Sequence, residues 1–205
     1  MTLSVHAAIA ARISINHFQP NRPLSDGDIT VLVELATKAP SAYNMQNWRF
    51  IAVRSDAAKA RLQSAAFGQK KITDASAVFL VCGTLEAHKH LALALAPCVQ
   101  TGLMTAEMVQ AWQTQAEKSH ENNPVLQRDE AFRSASLAAM ALMLAAQGMG
   151  LGSCAMSGFD PVLVAQAFGL SAKEVPVLLV AVGYPEAGNW PQKPRKAVSE
   201  VLAIL

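Results

Sequence analysis

The sequence predicts an α+β fold in which a mixed β-sheet is layered against helices. Three observations lead there. Segments before residue 68 open with polar caps and continue as helix-like apolar stripes. Short apolar runs at 48–53, 77–82 and 177–182 read as strands, the last two fully buried. Their order is helix–strand–helix–strand, then a long helical stretch, then a strand, which is not a regular βαβ winding.

Ser25 and Asp28 stand three apart ahead of Ile29, Leu32, Val33 and Ala36, a capping pair followed by an apolar face. Pro40 limits that helix. Ser55 and Asp56 cap a second one over 57–67. The stretch from about 87 to 130 carries Pro97, a polar patch at 119–123, and Pro124. Between them Met104, Met108, Val109 and Trp112 keep helical spacing, so it reads as a helical excursion from a single 1–205 domain. Residues 132–147 are apolar on nearly every face, which suits a helix inside the domain or between subunits. Asp160-Pro161 starts a further short helix by the rule of polar cap then proline. The tail, 189–205, begins polar and ends with Val198, Val201, Leu202, Ile204 and Leu205, which need a partner surface.

The chain has 205 residues, 52% of them hydrophobic and 16% charged. That is enough core for one domain, and the apolar surplus points to a subunit interface. The longest apolar run, 137–146, falls far short of the ~20 residues a spanning helix needs. Residues 1–6 lack a basic-then-apolar pattern, so no signal peptide is expected and the cytoplasm is the expected compartment. A net charge of +2 without a Lys/Arg block gives no reason to expect nucleic acid. Cys82, Cys98 and Cys154 are scattered, which fits reduced thiols, with Cys82 in the core.

Gly148, Gly150 and Gly152 follow a helix, where a dinucleotide fingerprint must follow a strand. They read as a helix terminator and turn. Glu86, His88 and His90 could align two imidazoles, but no third ligand is evident, so a solvated polar segment is expected and no metal. The segment 39–48 is dense in hydrogen-bonding groups. Ser41, Asn44 and Gln46 there suit a flat heterocycle rimmed by carbonyls and ring nitrogens, or else form an Asx-rich turn. Arg12 and Ser14 near one terminus, with Lys193 and Arg195 near the other, could together make one phosphate site.

Taken in order, these pieces resemble the FMN-dependent nitroreductase family over nearly the whole chain. Arg12-x-Ser14-x-x-x-Phe18 matches its opening element, and Ala39-Pro40-Ser41-x-x-Asn44-x-Gln46-x-Trp48 its second. Lys71-x-x-Asp74-Ala75-Ser76 follows. Later come Ala145-Ala146-x-Gly148-x-Gly150, Met156-Ser157-Gly158-Phe159, Gly183-Tyr184-Pro185 and Lys193-x-Arg195. The resemblance implies a nitroreductase-like three-layer fold, a central mixed β-sheet flanked by helices, in an intertwined homodimer that binds FMN.

It further implies that Arg12, Ser14, Asn16, Lys193 and Arg195 surround the FMN phosphate and ribityl chain. Pro40, Ser41, Asn44 and Gln46 would line the ring, in part from the partner subunit. Lys71 would approach the pyrimidine end. Met156, Ser157 and Gly158 would lie near flavin N5, with their backbone rather than any catalytic side chain. Trp112 would wall the substrate pocket. The implied activity is ping-pong hydride transfer from NADH or NADPH to nitroaromatics, quinones or similar small oxidants. An FMN reductase acting on alkenes or free flavin, a flavin carrier or regulator without turnover, and a structural helical dimer are the alternatives. Three positions depart from the pattern. Asn16 stands where Lys or Arg is common, Asn47 where proline is common, and Ser157 where some members are acidic.

Overall fold

The computed structural model describes residues 4–205; the first three residues, on which half of the signal-peptide reading of 1–6 falls, lie outside them. In chain order the elements are α1 (Val5–Ala11), α2 (Asp26–Ala36), β1 (Trp48–Val53), α3 (Asp56–Ala65), α4 (Lys71–Asp74) and β2 (Ala77–Thr84). Then come α5 (Leu91–Gln100), α6 (Ala106–His120), α7 (Pro124–Gly148), β3 (Gly152–Met156), α8 (Pro161–Phe168), β4 (Glu174–Gly183) and α9 (Val198–Val201). Short 3-10 turns cover Ala42–Asn44 and Ala87–His90.

The strands form one sheet in the order β1-β2-β4-β3, and all three ladders are antiparallel. Parallel pairing enters through a single bridge, Ser14 with Ser153. The sheet is buried on both faces because its strands alternate their side chains between two helical layers. Val78, Leu80 and Cys82 of β2 join Leu179 and Ala181 of β4 in a core with Leu62 of α3, Ile72 of α4 and Val164 of α8. Phe79 and Val81, with Val180 and Val182, pack instead on Leu32 of α2 and Ala139 and Leu142 of α7. A third cluster, Met45, Leu91, Leu95, Val109 and Ala116, gathers the helical excursion around the loop ahead of β1.

Local chemistry explains the element starts. Ser25 and Asp28 form a reciprocal capping box, and Ser55 caps α3 through the Ala58 N–H. The long helix expected over 132–147 begins earlier, at Pro124. The Asn123 side chain accepts from the Leu126 N–H, and proline at the first helical position sacrifices no hydrogen bond. The glycines after it do terminate a helix: Gly150 has φ 74°, and the Leu151 N–H donates back to the Ala146 carbonyl.

Four elements were not anticipated: α1, the one-turn helices α4 and α9, and β3. Helix α1 rests on a Ser4 cap. Strand β3 is Gly-Ser-Cys-Ala-Met, a run of small residues with weak strand preference. It becomes a strand because β4 pairs one side and the Ser14 segment the other. Among the described residues no helix is long and apolar enough to cross a membrane.

Helix α7 crosses the sheet so closely at β2 that a Cβ on Gly83 would lie 2.5 Å from the Ala131 carbonyl oxygen. Backbone cannot yield as a flexible side chain can. Gly83→Ala is expected to destabilise the chain by about 1–3 kcal/mol, as overpacking of a dense core does. The denaturant midpoint measures this, and an unchanged midpoint would contradict the close packing.

Candidate active site at the two edges of the sheet

Residues 12–18 run along the outer side of β3. The Ile15 N–H donates to the Ser153 carbonyl (3.0 Å), and Phe18, 1% exposed, fixes the segment in the core. Asn189 then ties the far end of the chain to it. Its Oδ1 accepts from the N–H groups of Asn16 (2.7 Å) and His17 (3.0 Å). Its Nδ2 donates to the carbonyls of His17 (2.8 Å) and Glu186 (2.9 Å). Gln192 Nε2 donates to the Arg12 carbonyl at 3.2 Å. The outcome is a hollow of about 90 Å³ whose walls include Ser14, Asn16, Trp190, Gln192, Lys193 and Arg195.

Four of the five residues expected around a phosphate therefore meet in one place, with Arg12 held at its margin by its backbone. No acidic side chain lines the hollow. Among the described residues Arg12, Lys193 and Arg195 have no carboxylate partner. Lys193 instead lies over the Trp190 ring at 4.8 Å, and Arg195 Nη1 donates to the Lys193 carbonyl at 2.6 Å.

Lys71 adjoins this group. Its Nζ donates to Asn16 Oδ1 at 2.9 Å and lies 3.6 Å from Cys154 Sγ. Gln69, two residues earlier, donates through Nε2 to the Gly158 carbonyl at 2.7 Å and so fixes the turn after β3. Ser157 and Gly158 are exposed there, whereas Met156 buries its side chain in the core.

The loop ahead of β1 holds the other expected residues. Ser41 Oγ accepts from the Gln46 N–H at 2.9 Å, and the Ser41 carbonyl accepts from the Asn44 N–H. Tyr43, Asn44 and Gln46 adopt φ of 52°, 56° and 49°, a left-handed conformation that non-glycine residues rarely take. Trp112 joins this loop, its ring edge-on to Tyr43 at 6.1 Å.

The two groups do not meet within one chain. β1 and β3 are opposite edges of the sheet, with β2 and β4 between them. Three strand spacings amount to about 14 Å. Pro40, Ser41, Asn44, Gln46 and Trp112 thus stand apart from Arg12, Ser14, Asn16, Lys71, Ser157, Gly158, Lys193 and Arg195.

Asn189, Gln69 and His120 were not singled out from the sequence, since isolated polar residues carry no spacing signal. The expectation of a solvated segment fails at His88. It is fully buried, with Nε2 3.0 Å from Glu121 Oε2 and its ring beside that of His120. His88 Nε2 and the Lys89 ammonium share the Glu121 carboxylate, which turns the segment inward. Among the described residues no three of His, Cys, Asp and Glu assemble as a metal site. A larger hollow of about 570 Å³ borders Arg22, Arg54 and Lys59, away from all expected site residues. Its cations are already engaged: Arg22 with the Tyr184 ring, Arg54 with Asp26, and Lys59 with the Ala75 carbonyl.

Comparison with known proteins places the chain in a family. Residues 9–184 match the family model described as "Nitroreductase family". The chain is 38% identical over 175 residues to YodC of Bacillus subtilis, whose name provisionally assigns an NAD(P)H nitroreductase; the match covers 85% of this chain and 86% of that protein. It is 28% identical to the CLA biosynthesis enone reductase of Lactiplantibacillus plantarum, covering 84% of this chain and 81% of that one. A crystal structure from Exiguobacterium sibiricum, provisionally titled a nitroreductase in complex with FMN, superposes with TM-score 0.92 at 29% identity over all of both chains.

Cys82 is excluded as a nucleophile. Burial, with the Glu174 carboxylate adding to it, pushes its thiol from an ordinary 9.0 up to about 12. Alkylation of the native chain at pH 8 should label half-buried Cys98 and spare Cys82, as peptide mass spectrometry can read. Above pH 9 the unfolded chain releases the Cys82 proton while the native chain retains it, so stability falls between 9 and about 12. Cys82→Ala should remove that part of the alkaline slope.

Proposed function

The chain belongs to the nitroreductase family of oxidoreductases, and on that premise we propose that it binds FMN between two copies of itself and uses NAD(P)H to reduce small, flat, electron-poor acceptors such as nitroaromatics and quinones. One observation supports this reading above the others. Lys193 and Arg195 from the C-terminal end, free of carboxylates among the described residues, line a hollow of about 90 Å³ to which the N-terminal end brings the Ser14 hydroxyl, with Arg12 joined to its Gln192 wall through the backbone. That donor set fits a phosphomonoester, a dianion with strong acceptor oxygens.

The roles follow from chemistry. Ser14, Lys193 and Arg195, with Arg12 beside them, would hold the phosphate and the sugar-alcohol chain. Asn16 would act in part through Lys71, whose ammonium it orients at 2.9 Å. Lys71 would supply a fixed positive charge where the reduced ring gathers negative charge. The backbone at Ser157 and Gly158, stiffened by Gln69, would border the reacting edge. Bound FMN supplies two-electron redox chemistry between a nicotinamide and an acceptor. The protein's part is to position both partners and keep water out, so no side-chain acid or base is required.

A second copy would complete the site. Pro40, Ser41, Asn44, Gln46 and Trp112 lie at the wrong edge of their own sheet for this hollow. In a homodimer the partner's loop would face it. Apolar surface is available for such an interface: Leu137 and Met140 on α7 are 48% and 36% exposed, and Ile204 in the tail is 88% exposed. The enone reductase relative favours a second acceptor class, activated alkenes, for which the same positioning would serve.

Two measurements test the proposal. Replacing Arg12 and Arg195 together by Ala should weaken FMN binding at least about 100-fold, since each charge-assisted contact contributes about 1.5–3 kcal/mol. A double variant that retains FMN through gel filtration would refute the phosphate assignment. Because donor and acceptor share one slot, initial rates should give parallel double-reciprocal lines when both substrates are varied. Intersecting lines would instead place both substrates on the protein together.

A further inference from the structure

Three buried side-chain atoms among the described residues lack a hydrogen-bond partner: Asn47 Oδ1, His88 Nδ1 and His120 Nε2. They come from three places, the approach to β1, the 87–90 turn and the end of α6. Their residues nonetheless line one small hollow of about 10 Å³, which Glu86 and Glu130 also border. Such a volume accommodates one water. Orphaned buried polar atoms are costly, and three around one void call for a shared partner.

The ring contacts fix what that partner must offer. His120 Nδ1 lies 2.8 Å from Ser119 Oγ and 3.0 Å from the Ala116 carbonyl; the carbonyl can only accept and the hydroxyl hydrogen has the Gln115 and Ala116 carbonyls as acceptors, so Nδ1 carries the proton there. The Glu121 carboxylate, 3.0 Å from His88 Nε2, likewise takes an N–H. In the neutral imidazoles both inward nitrogens are then lone pairs. One water has two hydrogens for them, and the Asn47 amide, turned over, offers its own N–H to the water oxygen.

We propose that a single bound water joins His88, His120 and Asn47, and that His120 acts through it as a positioning residue for the loop 41–47. The rings form a continuous column from this point. His88 and His120 have centroids 5.6 Å apart, His120 meets Tyr43 edge-on at 6.4 Å, and Tyr43 meets Trp112 at 6.1 Å. Between Tyr43 and Asn47 the backbone is held left-handed at Tyr43, Asn44 and Gln46. Such conformations persist only where surroundings enforce them. The buried Met45 side chain grips the loop by apolar contact, and the water grips it by Asn47. That the loop serves the flavin and Trp112 the acceptor rests on the function proposed above; the anchor does not.

Two variants of His120 separate the inward nitrogen from the outward one. In His120→Asn the amide reaches only the Nδ1 position and can keep the Ala116 contact. In His120→Gln it reaches the Nε2 position and can keep the water. Amide hydrogen exchange is measured on the FMN-supplemented full chain. The Gln46, Asn47 and Trp48 amides should exchange about tenfold faster in His120→Asn and within about twofold of the unaltered chain in His120→Gln. Equal exchange in the two variants, or no acceleration in either, overturns the anchor. FMN affinity measured on the same samples is a separate readout. If exchange accelerates and affinity does not change, the anchor stands and the loop's assignment to the flavin falls. In the unaltered chain, magnetisation transfer from a long-lived water to the His88 and His120 ring protons should be detectable. Its absence overturns the proposal whether or not the variants fold.

Discussion

β3 has one strand neighbour, β4, and on its other side the chain lays residues 12–18. A bare edge would leave a row of unpaired backbone groups. The contact through Ser14, Ile15 and Ser153 removes that liability and fixes Asn16 beside Lys71. Asn189 then uses all its amide capacity on Asn16, His17 and Glu186, which brings the far end of the chain to the near one. Four hydrogen bonds at about 1 kcal/mol net each stabilise this junction by about 4 kcal/mol. Ordering one residue costs about 1–2 kcal/mol. Asn189 can therefore hold its immediate neighbours but not everything out to Arg195. The Gln192 contact to Arg12 adds further order, and in the proposed function a bound phosphate would add the rest.

This arrangement also explains why the site is divided. A four-stranded sheet has two edges, and the chain uses one for the termini and the other for the strained loop and Trp112. Helices α2 and α7 pack across one face and α3, α4 and α8 across the other, so no path within one chain joins the two edges. In the proposed homodimer two copies would bring unlike edges together, and the exposed apolar residues of α7 and the tail would supply its driving force.

Much of the fold was legible because the relevant signals are local. The Ser25–Asp28 box, the Ser55 cap and the Asp160-Pro161 start each act within one turn of helix, and all three begin helices as expected. The runs at 48–53, 77–82 and 177–182 are strands with ends within a few residues of expectation. β3 escaped because Gly-Ser-Cys-Ala-Met has no local strand preference and owes its state to partners far away in sequence. Helix α7 starts ahead of residue 132 because Pro124 follows an Asn cap and takes the first helical position, a signal that the apolar periodicity of 132–147 does not carry. Around the candidate site, residues with a charge or a motif stand out in the sequence as candidates. Gln69, His120 and Asn189 do not, because their role lies in which carbonyl or ring they meet.

The division between edges bears on specificity. The half proposed to hold the cofactor is built from backbone pairing, from Asn189 and from cations, and in that proposal its demands would be set by a constant chemical group, the phosphate. The other half is built from a loop of left-handed residues and from α6, part of an excursion with its own small core. Changes in that excursion can reshape the wall at Trp112 without disturbing Ser14, Lys71 or Arg195, which touch none of it. On the proposed function, acceptor choice would thus drift while cofactor binding stayed fixed. The limit on drift is the loop itself: Tyr43 contacts both Trp112 and His120, so the wall can move only as far as the buried histidines let the loop follow.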